Sequence, residues 1–234
     1  MSPTVRSEIR DGVAVATLDD GKANAVSRAV CDGLCEHLAL AEKDAKAVLI
    51  TGRPGMFSGG FDLSVMGSGV AQDVFDLVNA GAEVYCRIRE LPLPVVVAAT
   101  GHAIAAGAIF LLAADARIGA SGSFRIGLNE VGAGMVLPHF ARELARDRLS
   151  KRHFIRAASQ AEIYGPDAAV DAGFLDRVVD PSELFEVAFA EAARLGALPQ
   201  PAFGNTKRAL HESLVVHLRE TTAPDLRAMM GLAD

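Results

Sequence analysis

Apolar and polar positions alternate over short runs at the start of the chain. Residues 4 to 10 and 12 to 18 each read as a strand, and Asp11-Gly12 between them reads as a two-residue hairpin turn. Ser27 is placed to cap a helix reaching about Lys43. Ala47-Val48-Leu49-Ile50-Thr51 is a continuous apolar run ended by Gly52 and Pro54, the pattern of a strand buried on both faces. From Asp73 to Glu90 the period changes: Val74, Leu77, Val78, Ala82, Tyr85 and Ile88 recur at helical spacing until Leu91-Pro92 stops them. Residues 94 to 100 read as a second buried strand, Gly101-His102 as a turn, and residues 105 to 114 as a helix of small and apolar side chains. Two further strands are expected at 117 to 120 and 123 to 126, around a turn at Gly122. Alternation of strand and helix predicts an α/β fold with a parallel-rich sheet and crossover helices. Beyond Pro138 the pattern is helical, over about 138–146, 150–158, 166–172, 181–195 and 205–219, with one short strand at 176–179. Without a repeat, low-complexity tract or long linker, residues 1–180 are expected to form an α/β core and residues 181–234 a helical C-terminal region of the same domain.

Composition narrows the class. Half of the 234 residues are hydrophobic and Trp is absent, so the apolar content comes from Ala, Val, Leu and Ile. The positive mean hydropathy, +0.26, suggests apolar surface hidden between subunits. A formal charge of −6 argues against the broad basic face that nucleic-acid binding needs, so any polyanionic ligand must be held by local cations and backbone donors. Cys31, Cys35 and Cys86 contain no CxxC pair, and they fit buried thiols in a reduced, cytoplasmic setting better than metal ligands. Leu93 to Ala114 is apolar, yet Pro94, Gly101 and His102 divide it into core elements rather than a membrane span. The first eight residues carry no apolar stretch of the kind a secretory signal needs.

Three segments carry candidate chemistry. Met56 to Leu63 brings the nearly bare backbone of Gly59 and Gly60 out of a buried strand, exposing N–H groups that can stabilise negative charge on a carbonyl oxygen. The same order of strand, small-residue turn and helix recurs at Thr100 to Gly107; close helix packing is the alternative reason for Ala105, Ala106 and Gly107. Glu130 stands among apolar and glycine neighbours, where lost hydration would raise its pKa towards neutrality; an exposed loop carboxylate is the alternative. No P-loop, GxGxxG, GxSxG or HExxH motif is present. His102 reads either as a base or as a loop histidine satisfying backbone groups, and Asp115 as a buried structural carboxylate.

Together these segments resemble the crotonase superfamily, the enoyl-CoA hydratase/isomerase family, from about Ile9 to Val179. Phe57 to Leu63 is similar to the family's F-[AS]-[AG]-G-x-D-[LI] turn, Gly101 to Gly107 to its G-x-A-x-G-G-G turn with two alanines for glycines, and Asn129-Glu130-Val131 with Gly134 to its P-E-[VI]-x-x-G segment. Gly21 to Ala25 is similar to the family's P-K-x-N-A/S segment. The resemblance implies stacked ββα units with a helical C-terminal trimerisation region, assembled as a trimer or a dimer of trimers. It implies an acyl-CoA thioester as ligand, with coenzyme A entering as part of the substrate and no further cofactor or metal. The N–H groups of Phe61 and Ala106 would form the oxyanion hole, with Glu130 as acid/base. Gly59, Asp62 and Leu63 would line the CoA adenine and pantetheine path, with Lys22 and Ala23 near the nucleotide, and Gly60, Ala105, Ile109 and Asn129 would complete the substrate-binding set. Family hydratases carry a second glutamate where this chain has Ile109, so the resemblance leans towards Δ3,Δ2-enoyl-CoA isomerisation. Hydration of 2-enoyl-CoA, acyl-CoA binding without catalysis and a ClpP-like serine hydrolase are the alternatives, the last lacking a Ser-His pair at these turns.

Overall fold

The computed structural model describes residues 4–233; Met1 to Pro3, which bear on the reading of the N-terminus, and Asp234 lie outside the described residues. Its larger sheet contains β1 (Val5–Arg10), β2 (Val13–Leu18), β3 (Ala47–Gly52), β5 (Val95–Ala99), β7 (Ala116–Ala120) and β9 (Arg177–Val179), in that spatial order. Its smaller sheet contains β4 (Gly55–Ser58), β6 (Gly101–Ile104) and β8 (Ile126–Gly127). The β1–β2 pair is antiparallel and closes through Asp11 (φ 48°) and Gly12 (φ 80°), as the Asp-Gly dipeptide predicts. The other pairings are parallel.

Both faces of the larger sheet are covered, which explains its uninterrupted apolar runs. Along β3, Ala47 and Leu49 meet Leu184, Ala188, Phe189 and Ala192 of α8 (Leu184–Gly196). Val48 and Ile50 face the main core with α1 (Arg28–Asp44), whose N-cap Ser27 accepts the Val30 N–H. The α3 helix (Ala71–Glu90) and α4 (Ala106–Ala113) complete that core. Its free thiols include Cys31 and Cys86, both pushed up to about 12 by burial. Among the described residues no helix is long and apolar enough to cross a membrane.

Three expectations change. Gly101-His102 is strand rather than turn: Gly101 pairs with Gly55, and a Cβ on it would lie 2.1 Å from the Gly55 carbonyl oxygen. The glycine there permits close strand approach instead of a bend. The strand expected at 123–126 contracts to Ile126-Gly127, because the Arg125 N–H is taken by the His102 ring at 3.0 Å. The last helix runs well beyond 205–219, as α9 (Gln200–Met230), through Thr221, Thr222 and Pro224, which are weak helix formers. Burial of Leu218, Thr222 and Leu226 carries it on.

Between these come the one-turn α2 (Leu63–Met66), α5 (His139–Arg148), α6 (Lys151–Ala158) and α7 (Pro166–Ala172). The α9 helix folds back on the core. Arg219 bonds Glu83 and Glu90 of α3, Asp225 accepts the His139 N–H at 2.9 Å, and the buried Lys207 ammonium reaches Asp115 at 2.5 Å.

Candidate active site

The three segments singled out in the sequence leave the ends of the three parallel strands of the small sheet. Gly59-Gly60-Phe61 follows β4, Ala105 and α4 follow β6, and Leu128-Asn129-Glu130 follows β8. Carboxyl ends of parallel strands are where ligands gather.

A side-chain network fixes the first turn. Asn24, buried and at φ 50°, donates through Nδ2 to the carbonyls of Leu18 (2.9 Å) and Met56 (3.0 Å). Its own carbonyl accepts the Ser58 hydroxyl at 2.7 Å, and the Gly59 N–H reaches the Ala23 carbonyl at 2.8 Å. Asp20 accepts the N–H groups of Lys22, Asn24 and Ala25. The Asn24 role was not legible from its motif alone, since the Met56 and Phe57 carbonyls it also binds stand 32 and 33 residues away.

Backbone donors are left over at both turns. Val26 donates to the Gly60 carbonyl (2.8 Å) and accepts from Asp62 N–H (3.3 Å), so Phe61 between them turns its own N–H to the opposite side. Ala106 opens α4, where the first N–H groups have no helical acceptor. Among the described residues neither N–H has a hydrogen-bond acceptor. The Ala106 nitrogen lies 3.7 Å from where a Cβ on Gly60 would sit, which brings the two turns together. Ala105 holds φ 51°, a conformation that favours glycine. Close packing also explains the small residues, because a Cβ on Gly107 would lie 2.4 Å from the Ser58 carbonyl oxygen.

The turns open on a cavity of about 420 Å³. Gly59, Phe61, Ala105, Ile109, Asn129 and Glu130 line one part of it. Glu130 is 8% exposed, and its Oε2 is buried with no hydrogen-bond partner among the described residues. Desolvation by burial pushes its pKa up to about 7. It is not an exposed loop carboxylate, and among the described residues it is the only ionisable side chain lining the cavity.

Other candidates separate from this group. The His102 ring accepts the Arg125 N–H and meets Phe124 edge-on, outside the cavity lining. Ser58 is buried with its hydroxyl committed to Asn24. Asp115 binds Lys207 and the Val95 N–H, as a structural carboxylate. Lys22 and Ala23 are exposed beside Gly59, Gly60 and Ala106 lie behind the lining, and Leu63 is exposed at its edge. Asp62 caps α2 by accepting the Ser64 hydroxyl and N–H, which hold its carboxyl below the usual range.

Sequence reasoning missed two groups. Arg53 bonds the Lys22 carbonyl through Nε at 2.9 Å, adding a second cation to that loop. The far end of the cavity is walled by Val74, Val78, Phe140, Leu226, Met229 and Met230. Leu226, Met229 and Met230 keep helical spacing, a signal lost once the helix was ended before Pro224.

The sequence profile of the enoyl-CoA hydratase/isomerase family matches residues 8–231. A crystal structure of an enoyl-CoA hydratase/isomerase family protein from Pseudomonas syringae is 44% identical, with a TM-score of 0.94, covering 97% of this chain and 99% of its own. The human mitochondrial delta3-delta2-enoyl-CoA isomerase structure is 26% identical with a TM-score of 0.92, covering 97% of this chain and 91% of its own. A probable enoyl-CoA hydratase of Rhodobacter capsulatus is 34% identical over 223 residues, 90% of this chain and 82% of its own. With a family profile spanning nearly the whole chain and the same overall fold, this chain belongs to the enoyl-CoA hydratase/isomerase family of the crotonase superfamily and is an enzyme of that family.

Proposed function

We propose that the enzyme moves a double bond along an acyl-CoA chain, from the 3,4 to the 2,3 position, with Glu130 as the single acid/base. The observation that carries this reading is the pairing of a buried Glu130, whose Oε2 has no hydrogen-bond partner among the described residues, with apolar Ile109 in one cavity. Ionised Glu130 takes a proton from C2 of the 3-enoyl thioester, and negative charge develops on the thioester oxygen. The N–H groups of Phe61 and Ala106 receive that charge. The proton then returns at C4 and the double bond settles between C2 and C3. Oxyanion donors of this kind contribute roughly 2.7–4 kcal/mol each to the transition state.

Addition of water asks for a second group to hold the nucleophile, and Ile109 supplies no hydrogen bond. Hydration is the second reading, supported by the Rhodobacter capsulatus relative described as a probable hydratase. In either case coenzyme A enters with the substrate. Lys22, Ala23, Gly59, Gly60, Asp62 and Leu63 lie along its path, with Arg53 beside Lys22, while Ala105, Ile109 and Asn129 meet the acyl end. Large exposed side chains on α9, Leu210 and Val216, support a homotrimer or dimer of trimers. Free, buried thiols fit a cytoplasmic setting.

The test uses 3-enoyl-CoA and 2-enoyl-CoA in heavy water, with products analysed by mass. Label exchange with a shifted double bond is expected, and it disappears in Glu130→Gln while the ester still binds. A product heavier by one water, or full activity in Glu130→Gln, overturns the isomerase mechanism.

A further inference from the structure

Four of the six methionines in the chain, Met66, Met135, Met229 and Met230, line this one cavity. They reach it from three separate places: the one-turn α2, the loop after Glu130, and the last turns of α9. Methionine is unbranched, with three rotatable side-chain bonds, so a wall of methionines refills its own space around ligands of different shape. Branched side chains such as Val74 and Val78, on the fixed face of α3, have no such freedom.

The placement of the methionines is uneven in a way that bears on the ligand. Met135 and Met229 are 41% and 39% exposed, and Val136 beside them is more exposed still, so the apolar wall continues to the surface instead of ending in a closed floor. The turn bearing Met229 and Met230 lies just beyond Pro224, which cannot donate to the Glu220 carbonyl. It is held from outside the cavity, by Asp225 on the His139 N–H and by the Arg227 guanidinium 4.7 Å over the Phe75 ring. The backbone is anchored, while Met66 and Met230 pack against the core only in part and Met135 and Met229 stand exposed. Apart from Asn129 and Glu130, the lining carries no polar side chain and no cation among the described residues.

Resting on the acyl-CoA reading of this cavity, we infer that Met66, Met135, Met229 and Met230 form an adaptable acyl wall. The wall makes the enzyme tolerant of chain length and branching among uncharged aliphatic acyl groups, and closed to acyl groups ending in a carboxylate. A terminal carboxylate on a chain that ends inside the cavity, short of the exposed Met135 and Met229, would shed its hydration against side chains that offer it no partner.

Calorimetric titration with saturated acyl-CoA esters tests this without turnover, so it stands apart from the isomerase mechanism. Medium-chain, long-chain and methyl-branched esters are expected to bind within about tenfold of one another. A medium-chain ester ending in a carboxylate is expected to bind at least about tenfold more weakly than its methyl-ended counterpart. Replacing all four residues by the stiff isoleucine should turn the flat profile into a peaked one. Single variants such as Met230→Ile, with circular dichroism to verify folding, should narrow it in part. Norleucine incorporation, which keeps the flexible chain and removes the sulfur, should leave it flat. A sharp optimum in the wild-type protein, an unchanged profile in the isoleucine variants or a peaked one with norleucine overturns the inference and leaves the acyl-CoA reading standing. Absence of binding by every ester overturns both.

Discussion

A Cβ on Gly60 would lie 3.0 Å from the Cβ of Ala105, and Gly60 itself holds φ 106°. The turns after β4 and β6 therefore meet with no room for another atom, while Ala105 tolerates a positive φ that glycine would adopt freely. Gly60→Ala is expected to cost roughly 1–3 kcal/mol in stability from the forced backbone conformation. It should also move the proposed Phe61 donor enough to lower kcat by about 10²-fold, as loss of an oxyanion donor does. Ala105→Gly should raise Tm. Thermal melts and steady-state rates on both variants check the pair; a Gly60→Ala enzyme with wild-type kcat would detach these turns from catalysis.

The raised pKa of Glu130 sets the sign of two pH effects. As the proposed base it must be ionised, so kcat/KM on a 3-enoyl thioester should climb as pH rises through about 7 and level off above it. Stability runs the other way. The unfolded chain releases the Glu130 proton near 4.5, whereas the folded protein keeps it to about 7, so stability present below 4.5 is lost as pH rises to about 7. At about 1.4 kcal/mol per pKa unit, Glu130→Gln should exceed the wild type by about 3 kcal/mol in alkaline solution. Denaturant titrations of both proteins at acid and alkaline pH measure the difference, and a constant gap between them would contradict the raised value.

What the sequence made legible was local. The Asp11-Gly12 turn, the Ser27 cap and the buried runs in β3 and β5 follow from period, chirality and capping, which neighbouring residues determine. The small sheet was not legible, because β4, β6 and β8 span four, four and two residues, too few to display a period. Their glycines therefore read as turns. Glu130 shares this limit: its surroundings in sequence are glycine-rich, while in the fold it is buried in a cavity that Phe140 and Leu226 also line from distant helices. The proposed donors Phe61 and Ala106 could be named only by resemblance, since an N–H freed by the pairing of Val26 leaves no trace in residue type.

Anchoring of α9 to the core depends on a buried pair. The Lys207 ammonium, 4% exposed, binds Asp115 Oδ2 at 2.5 Å and the Leu93 carbonyl at 3.0 Å, and Asp115 in turn caps the Val95 N–H that opens β5. Burial lowers the Lys207 pKa despite its partner. Removing one member leaves the other buried and unpaired, which costs about 3–5 kcal/mol. Lys207→Met should fall in that range by urea denaturation, and Asp115→Asn with Lys207→Met should recover part of it. If Lys207→Met alone costs nothing, the pair contributes no anchoring.

Ile109 is the position where the proposed reaction class can be challenged. Its side chain is 1% exposed and lines the same cavity as Glu130, so Ile109→Glu would place a second carboxyl in a site with no cation. Two carboxyls sharing a low-dielectric space do not both ionise easily; one keeps its proton at neutral pH while the other acts as base. That division is what addition of water across a 2,3 double bond requires, one group orienting the water and accepting its proton, the other donating to carbon. Ile109→Glu is therefore expected to gain detectable hydration of 2-enoyl-CoA and to lose isomerisation rate. Burying the added group should also lower stability by several kcal/mol. Product mass distinguishes the outcomes: a variant that remains folded, binds the ester and adds no water would mean that Ile109 does not set the choice between the two reactions.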